Sequence, residues 1–521
     1  MSIPFEGFCG ISYQLQNKFA SVERTVNWLL DVNETTDEKK YKIALIPAPS
    51  NSQFGPLPVP APFNQPVRAM LEYRGSVFGV SGDVIWVMDS NGVQTNLLGG
   101  ITVDANPASM VGNGNNQIFV ASGGAGYCIT VKNPASTSTV LGFATGVDFL
   151  GASYVTFQDG YIIVVTPNSN QFQISGTDDT PVGDATLWSA ANISIQAGQA
   201  DLLQNVFSSR EYLFLLGKRR SQVYQNVGNN GQGGFPFVSY NETFIETGNA
   251  AVFSLQEFEE SLIWIGQDAR GRRACWRMSA FQPQRVSNFA VEQIWDTYPT
   301  VADAVAFTMI WQGHSIYQIT FPTAGKTWIY DATISQLTGR PAWTERNYLR
   351  FDGQFLCRPE QAHCFAFGKH LVGSAGGDGN PGAIYQYTVN PSPGTNYDCG
   401  INAAGGQDQR PIVRDRICPH LFNTGKRSIY NRIWFEVTHG SGLDGSGGAL
   451  NPTLMLRWSN DGGNTYSFEQ QIKTGPIGQY SKLIYFNRAG MGRDRIFWVR
   501  YSDSAYMALT NAYLDVVPLG S

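Results

Sequence analysis

One pattern limits what this chain can fold into more than any other: a hairpin unit that recurs along most of its length. Its clearest copy lies between Phe258 and Thr300. Leu262 to Ile265 is a short apolar and aromatic run, Gly266 to Gly271 supplies polar turn residues, and Ala274 to Met278 is a second alternating run. Two such runs around a polar turn predict a β-hairpin. Behind it, Val291, Ile294, Trp295 and Tyr298 fall at i, i+3, i+4 and i+7, and Pro299 follows. That spacing predicts one short helix.

The same grammar appears in Tyr73–Val87, Gln117–Val131, Val155–Ile174, Glu211–Tyr224, Gly313–Tyr330 and Gly368–Tyr387. The units recur about every 40–55 residues, close to the length of a four-stranded propeller blade. One blade has too little apolar surface to stand alone, so such units stack round an axis and share a core. The expected fold is all-β: an irregular six- or seven-bladed β-propeller over residues 67–390, without the WD40 or Kelch signatures. A pair of β-sandwiches is the alternative.

The flanks differ. Residues 1–66 form an N-terminal arm or docking segment, in which Pro47 to Pro66 carries seven prolines. Proline cannot donate to a ladder, so this stretch is extended and runs over a surface, either as a linker or as an arm on a neighbouring subunit. Residues 391–409 are rich in Pro, Gly and Asn and read as a linker. In residues 410–521, strands are expected at Arg416–Leu421, Arg432–Thr438, Leu454–Ser459, Tyr480–Phe486, Ile496–Tyr501 and Leu509–Val517, with a glycine loop at His439–Leu450. That set suits an appended C-terminal β-sandwich, which may pack on or interleave with the propeller.

Only 15% of residues are charged, while 13% are aromatic and 56 are glycine. This favours hairpins and turns over long helices. The net charge of −5 argues against gripping nucleic acid by phosphate neutralisation. Cys9, Cys128, Cys275, Cys357, Cys364, Cys399 and Cys418 are scattered and never spaced as CxxC. They read as reduced, buried thiols, although Cys357 and Cys364 could bridge. The opening MSIPFEGFCG lacks a basic region before an apolar core, so no secretory signal is expected, and no apolar run reaches the ~20 residues of a membrane span.

No catalytic constellation emerges. Ser459-Asn-Asp461-Gly-Gly463-Asn-Thr465-Tyr466 fits the S-x-D-x-G-x-T-[WY] pattern of the Asp-box hairpin of sialidase-type propellers. There Asp461 accepts backbone N–H bonds within its own turn, Gly463 allows φ > 0, and Tyr466 packs beneath; the box is a structural turn. A sialidase-like site would need three arginines in one pocket and a paired acid and nucleophile. Nothing assigns Arg270, Arg272, Arg273, Arg410, Arg414, Arg416, Arg493 and Arg495 to one pocket, so they read as surface charge. Glu259 and Glu260 are adjacent, and in a strand would point to opposite faces. The five histidines never take metal-ligand spacing, and no phosphate-binding loop is present. No cofactor and no metal are expected. Lys218–Arg220 and Arg270–Arg273 read as basic tips of hairpin turns, either solvated or touching an acidic partner or DNA.

The order of several phrases resembles the tail nozzle family of short-tailed bacteriophages, also called tail hub or packaged-DNA stabilisation proteins. They are Arg24-Thr-Val-Asn27, Phe157-Gln-Asp-Gly-Tyr161, Phe244-Ile-Glu-Thr-Gly248, Leu262-Ile-Trp-Ile-Gly-Gln-Asp268, Pro283-Gln-Arg-Val-Ser287, Gly313-His314 with Thr320-Phe-Pro-Thr323, Arg414-Asp-Arg416 with Pro419-His420, Met455-Leu-Arg-Trp-Ser459 and Arg493-Asp-Arg495. The family often has Tyr-Pro-Glu after the early Val-Asn, where this chain has Trp28-Leu-Leu-Asp31. The resemblance implies a non-enzymatic virion protein, six copies of which ring the DNA exit channel at the end of the tail. Its implied partners are the tail adaptor ring below the portal, tail fibres, spikes or a tail needle, and, transiently, the double-stranded genome. Assembly in the bacterial host cytoplasm is implied as well. The residues alone leave open a carbohydrate-active or glycan-binding propeller.

Overall fold

The structure, a computed structural model, describes residues 2–34, 43–142, 148–176, 188–196, 201–228, 234–268, 270–279, 281–389, 396–402, 404, 406–438, 440 and 450–519. Most of the glycine loop expected at His439–Leu450, and residues 391–395 of the expected linker, lie outside the described residues.

Seven antiparallel sheets follow one another over residues 67–99, 109–142, 154–195, 203–245, 247–285, 305–346 and 360–388, and form blades 1 to 7. Each hairpin unit read from the sequence is centred on the second and third strands of one blade. Six blades are separate sheets; blade 6 is one end of a larger sheet.

Successive side chains of a strand point to opposite faces, so the middle strands of each blade feed two cores at once. In blade 3, Ile162 and Val164 pack with Phe119 and Ala121 of blade 2, while Ile163 and Val165 pack with Val206 and Leu213 of blade 4. In blade 5, Leu262 and Trp264 join Phe214 and Leu216 of blade 4, and Ile263 and Ile265 join Tyr317 and Ile319 of blade 6. Leu371 and Ile384 of blade 7 pack with Val77 and Trp86 of blade 1, which closes the ring. Burial of both faces is why these runs read as continuously apolar rather than alternating.

The chain closes the ring with its own N-terminal segment. Ser50–Gln53 is the outer strand of blade 7, with Tyr385 opposite Gln53 and Thr388 opposite Ser50. Beyond it the proline-rich stretch is extended, and Phe54, Leu57, Val59 and Phe63 pack into the blade 6, 7 and 1 cores. The surface it runs over is this chain's own.

The remaining strands form a β-sandwich. One layer contains Trp28–Val32, Ile43–Pro47, Leu509–Pro518, Ser428–Val437 and Ile484–Asn487. The other contains Val22–Val26, Arg414–Ile417, Asp494–Tyr501, Thr453–Ser459 and Gln470–Lys473. Leu454, Leu456, Phe497 and Val499 meet Ile433, Phe435, Ala512 and Leu514 between the layers. The strand expected at Tyr480–Phe486 is shorter, Ile484–Asn487. Tyr397–Ile401 and Gln407–Pro411, in and beside the expected linker, pair as a hairpin.

Propeller and sandwich share a sheet. Val26 pairs in parallel with Glu345 of blade 6, and the same strand pairs antiparallel with Arg414–Ile417. An eleven-stranded sheet therefore runs from blade 6 into the sandwich. Asn27 turns the chain from one sandwich layer to the other at φ 57, a conformation asparagine tolerates better than most residues. Its side-chain amide donates to Asn347 at 2.6 Å and to the Val413 carbonyl at 2.8 Å.

The expected helix is α1, Phe289–Asp296, whose N-cap Asn288 accepts from the Val291 amide at 2.9 Å. A second helix, α2, Ala332–Thr338, was not legible from periodicity because seven residues span only two turns. Asp331 caps it and Gly339 ends it at φ 66, the signals by which it could have been found.

Candidate functional site

The turn at Arg270–Arg273 joins the second and third strands of blade 5. Asp268 organises it: its Oδ1 accepts from the amides of Arg270 and Arg272, each at 2.9 Å. Arg270 and Arg272 are exposed and Arg273 is half-buried. Arg272 reaches Glu292 of α1 at 3.4 Å. Glu292 also holds Arg285 at 2.8 Å and accepts from Ser287 at 2.6 Å. The Lys218–Arg220 turn occupies the equivalent position in blade 4, where Asp201 accepts from the Arg219 amide at 2.6 Å and Glu246 pairs with Arg220 at 2.9 Å. Strands alternate in direction, so turns between second and third strands leave one propeller face. Two neighbouring blades thus carry basic tips on the same side.

At the Ser459–Tyr466 turn, Asp461 accepts from the amides of Asn464 at 3.0 Å and Thr465 at 2.9 Å, and from the hydroxyls of Ser459 at 2.7 Å and Thr465 at 2.6 Å. These donors favour its charged form and pull its pKa down to about 2. Gly463 sits at φ 82, and Tyr466 packs edge-on against Trp498 with ring centroids 5.0 Å apart. The N-terminal hairpin lies over this turn. Lys18 donates to Asn464 at 3.3 Å, and His420 bridges Asp494 at 2.7 Å and the Lys18 carbonyl at 2.8 Å.

Arg414, Arg416 and Arg495, read from the sequence as surface charge, are fully buried. The correction has a physical cause: the fold supplies carbonyls and ring faces that the sequence does not reveal. Arg416 donates to the carbonyls of Phe8 at 2.6 Å, Gly7 at 2.7 Å and Ile11 at 3.1 Å. Arg495 lies 4.4 Å above the Tyr430 ring and donates to Asn460 at 2.8 Å. Arg358, absent from the sequence-based candidates, is buried with Glu360 at 2.6 Å and with Asp398. Arg416 and Arg358 thus join strands distant in sequence.

On the opposite propeller face is an open groove of ≈ 970 Å³ between the turns of blades 4 and 5 and the end of α2. Its walls carry Arg210, Arg277, Arg285 and Arg340 beside Glu259, Glu260, Tyr212 and Phe281. Glu259 and Glu260 lie in a turn at φ 46 and 58, and not in a strand as the sequence suggested. Each is held by its own arginine, Arg277 at 2.8 Å and Arg210 at 2.6 Å. Two carboxylates so paired do not form an acid and nucleophile couple. Among the described residues no group of three or more His, Cys, Asp or Glu could hold a metal ion.

Residues 65–384 match the family model described as bacteriophage P22 Gp10, beta-propeller, and residues 413–517 match that described as bacteriophage P22 Gp10, beta-sandwich. No curated protein sequence matches the chain. Among solved structures, the N-terminal domain of Nup159 is similar at 9% identity and a TM-score of 0.37, over 70% of this chain and 99% of that one. A putative 6-phosphogluconolactonase from Bacteroides fragilis is similar at 10% identity and a TM-score of 0.39, over 67% and 95% of the two chains. PorZ from Porphyromonas gingivalis is similar at 9% identity and a TM-score of 0.37, over 81% of this chain and 46% of PorZ. At such scores these likenesses carry no inference about function.

Proposed function

The chain belongs to the bacteriophage P22 Gp10 family and is therefore a structural protein of a phage tail, and we propose that in the tail it forms the nozzle ring that bounds the DNA exit channel and retains the packaged genome. The observation that carries this reading is the pair of family matches, in order, over the propeller and the sandwich. The shared eleven-stranded sheet supports it. A wall around pressurised DNA needs domains that do not hinge, and a continuous ladder resists bending better than a linker does.

Charge supports it too. Each subunit contributes a formal −5, so a ring of six would carry a formal −30, a balance that disfavours tight gripping of DNA phosphates and suits a duplex that slides. The basic tips of blades 4 and 5, with Arg270, Arg272 and Arg273, suit contacts to an acidic surface on a neighbouring subunit or on the adaptor ring. Fibres, spikes or a needle would attach to the outside of such a ring.

Genetics tests the retention role. Particles assembled without this chain should package DNA and then lose it, and supplying the purified chain should restore DNA-filled, infectious particles. Filled and stable particles without the chain would contradict the proposal.

A further inference from the structure

Four blades join their first and second strands through a left-handed residue followed by glycine: Arg74-Gly75, Asp159-Gly160, Gln312-Gly313 and Phe367-Gly368, with all eight residues at positive φ. Glycine takes that second position because it has no Cβ to strain. Blade 5 departs from the pattern. Its turn is Glu259-Glu260, and both glutamates sit at positive φ. A non-glycine residue held left-handed costs about 1 kcal/mol or more. In the same groove Arg210 and Phe281 are also left-handed, at φ 55 and 64. Four left-handed non-glycine residues thus line one groove.

The chemistry of the groove is equally specific. The Arg210–Glu260 and Arg277–Glu259 pairs set guanidinium donors beside carboxylate acceptors. Arg340, exposed beyond α2, makes no ion pair with a described residue. Phe281 stands edge-on to Tyr212 with centroids 4.8 Å apart, giving the wall an aromatic component. Alternating donors and acceptors suit a ligand rich in hydroxyls, which give and take hydrogen bonds. Aromatic rings suit the apolar faces of such a ligand. The unpaired Arg340 adds a site for one carboxylate. A phosphodiester chain, which accepts hydrogen bonds but has few hydroxyls to donate to Glu259 and Glu260, fits less well.

We propose that this groove binds a short acidic oligosaccharide, without catalysis, with Arg340 engaging a sugar carboxylate and Phe281 contacting a sugar face. The proposal is independent of the nozzle reading. The test is calorimetric titration of the full chain with trigalacturonic acid, its fully methyl-esterified form, and a short DNA duplex. Saturable binding of the acid is expected, weakened at least about tenfold by esterification and at least about fivefold by Arg340→Ala or Phe281→Ala. Arg270→Ala, on the opposite face, should leave it unchanged. No saturable binding of the acid, equal affinity for the ester, or insensitivity to both groove variants would overturn the proposal. Preferential binding of the duplex that is lost in Arg340→Ala would overturn it in favour of a nucleic-acid site.

Discussion

Arg24 and Glu345, 321 residues apart, form two parallel hydrogen bonds, Nε to Oε1 at 2.8 Å and Nη2 to Oε2 at 2.6 Å. They do so where the sandwich strand Val22–Val26 lies against blade 6. The Glu345 carboxylate, nearly buried beside it, raises the Arg24 pKa. The pair ties the two domains together beside the shared strand pairing.

A double-mutant cycle with Arg24→Met and Glu345→Gln, read by urea unfolding, should return a coupling of about 2 kcal/mol, as for a bidentate charge-assisted pair. A coupling near zero would mean that the backbone ladder alone joins the domains.

Arg358 should be the costliest arginine to remove. It, Glu360 and Asp398 are buried to 1% exposure or less, and Asp398 also accepts from the Asn51 amide at 2.9 Å. One guanidinium thus holds blade 7, its closing strand and the 397–411 hairpin together. Arg358→Met leaves two carboxylates buried and unpaired, at a cost of about 3–5 kcal/mol. Thermal unfolding at neutral pH checks this.

Asp378 gives a pH signature of the opposite kind to acid denaturation. Burial raises its pKa to about 6, although Tyr385, Ser374 and the Asn380 amide donate to it. The folded value lies above the unfolded one, so the folded chain takes the proton first as pH falls. Relative to Asp378→Asn, the wild type should gain stability from pH 7 to pH 4, by about 3 kcal/mol at most, with no further gain below the unfolded carboxyl range. Parallel stability–pH curves for the two proteins would contradict this.

Glu260→Gly should make the protein more stable. The substitution relieves a left-handed glutamate at an exposed turn and loses only an exposed ion pair with Arg210. A gain of up to about 1 kcal/mol in chemical denaturation is expected. A loss of stability would mean that the Arg210 pair outweighs the strain.

The propeller was legible because its signals are local. Turn glycines such as Gly75, Gly160 and Gly313 and the apolar runs between them repeat at blade length, and the two-sided burial of Ile162–Val165 or Leu262–Ile265 follows from strand geometry. What the N-terminal 53 residues do was not legible, since their partners lie hundreds of residues away: Arg24 opposite Ile417, and Ser50 opposite Thr388. Buried arginines were misread for a related reason. Nothing near Arg416 in sequence announces the carbonyls of Phe8 and Gly7 that solvate it. The groove escaped notice because it is assembled from turns of three blades, and its clue, glutamate where four other blades place glycine, shows only once the turns are aligned.

Cryo-electron microscopy of the intact virion tail tests the central claim most directly. Six copies of a seven-bladed propeller fused to a sandwich should ring the DNA exit channel at the end of the tail. Tail density that lacks this fold, or that places it away from the channel, would contradict it.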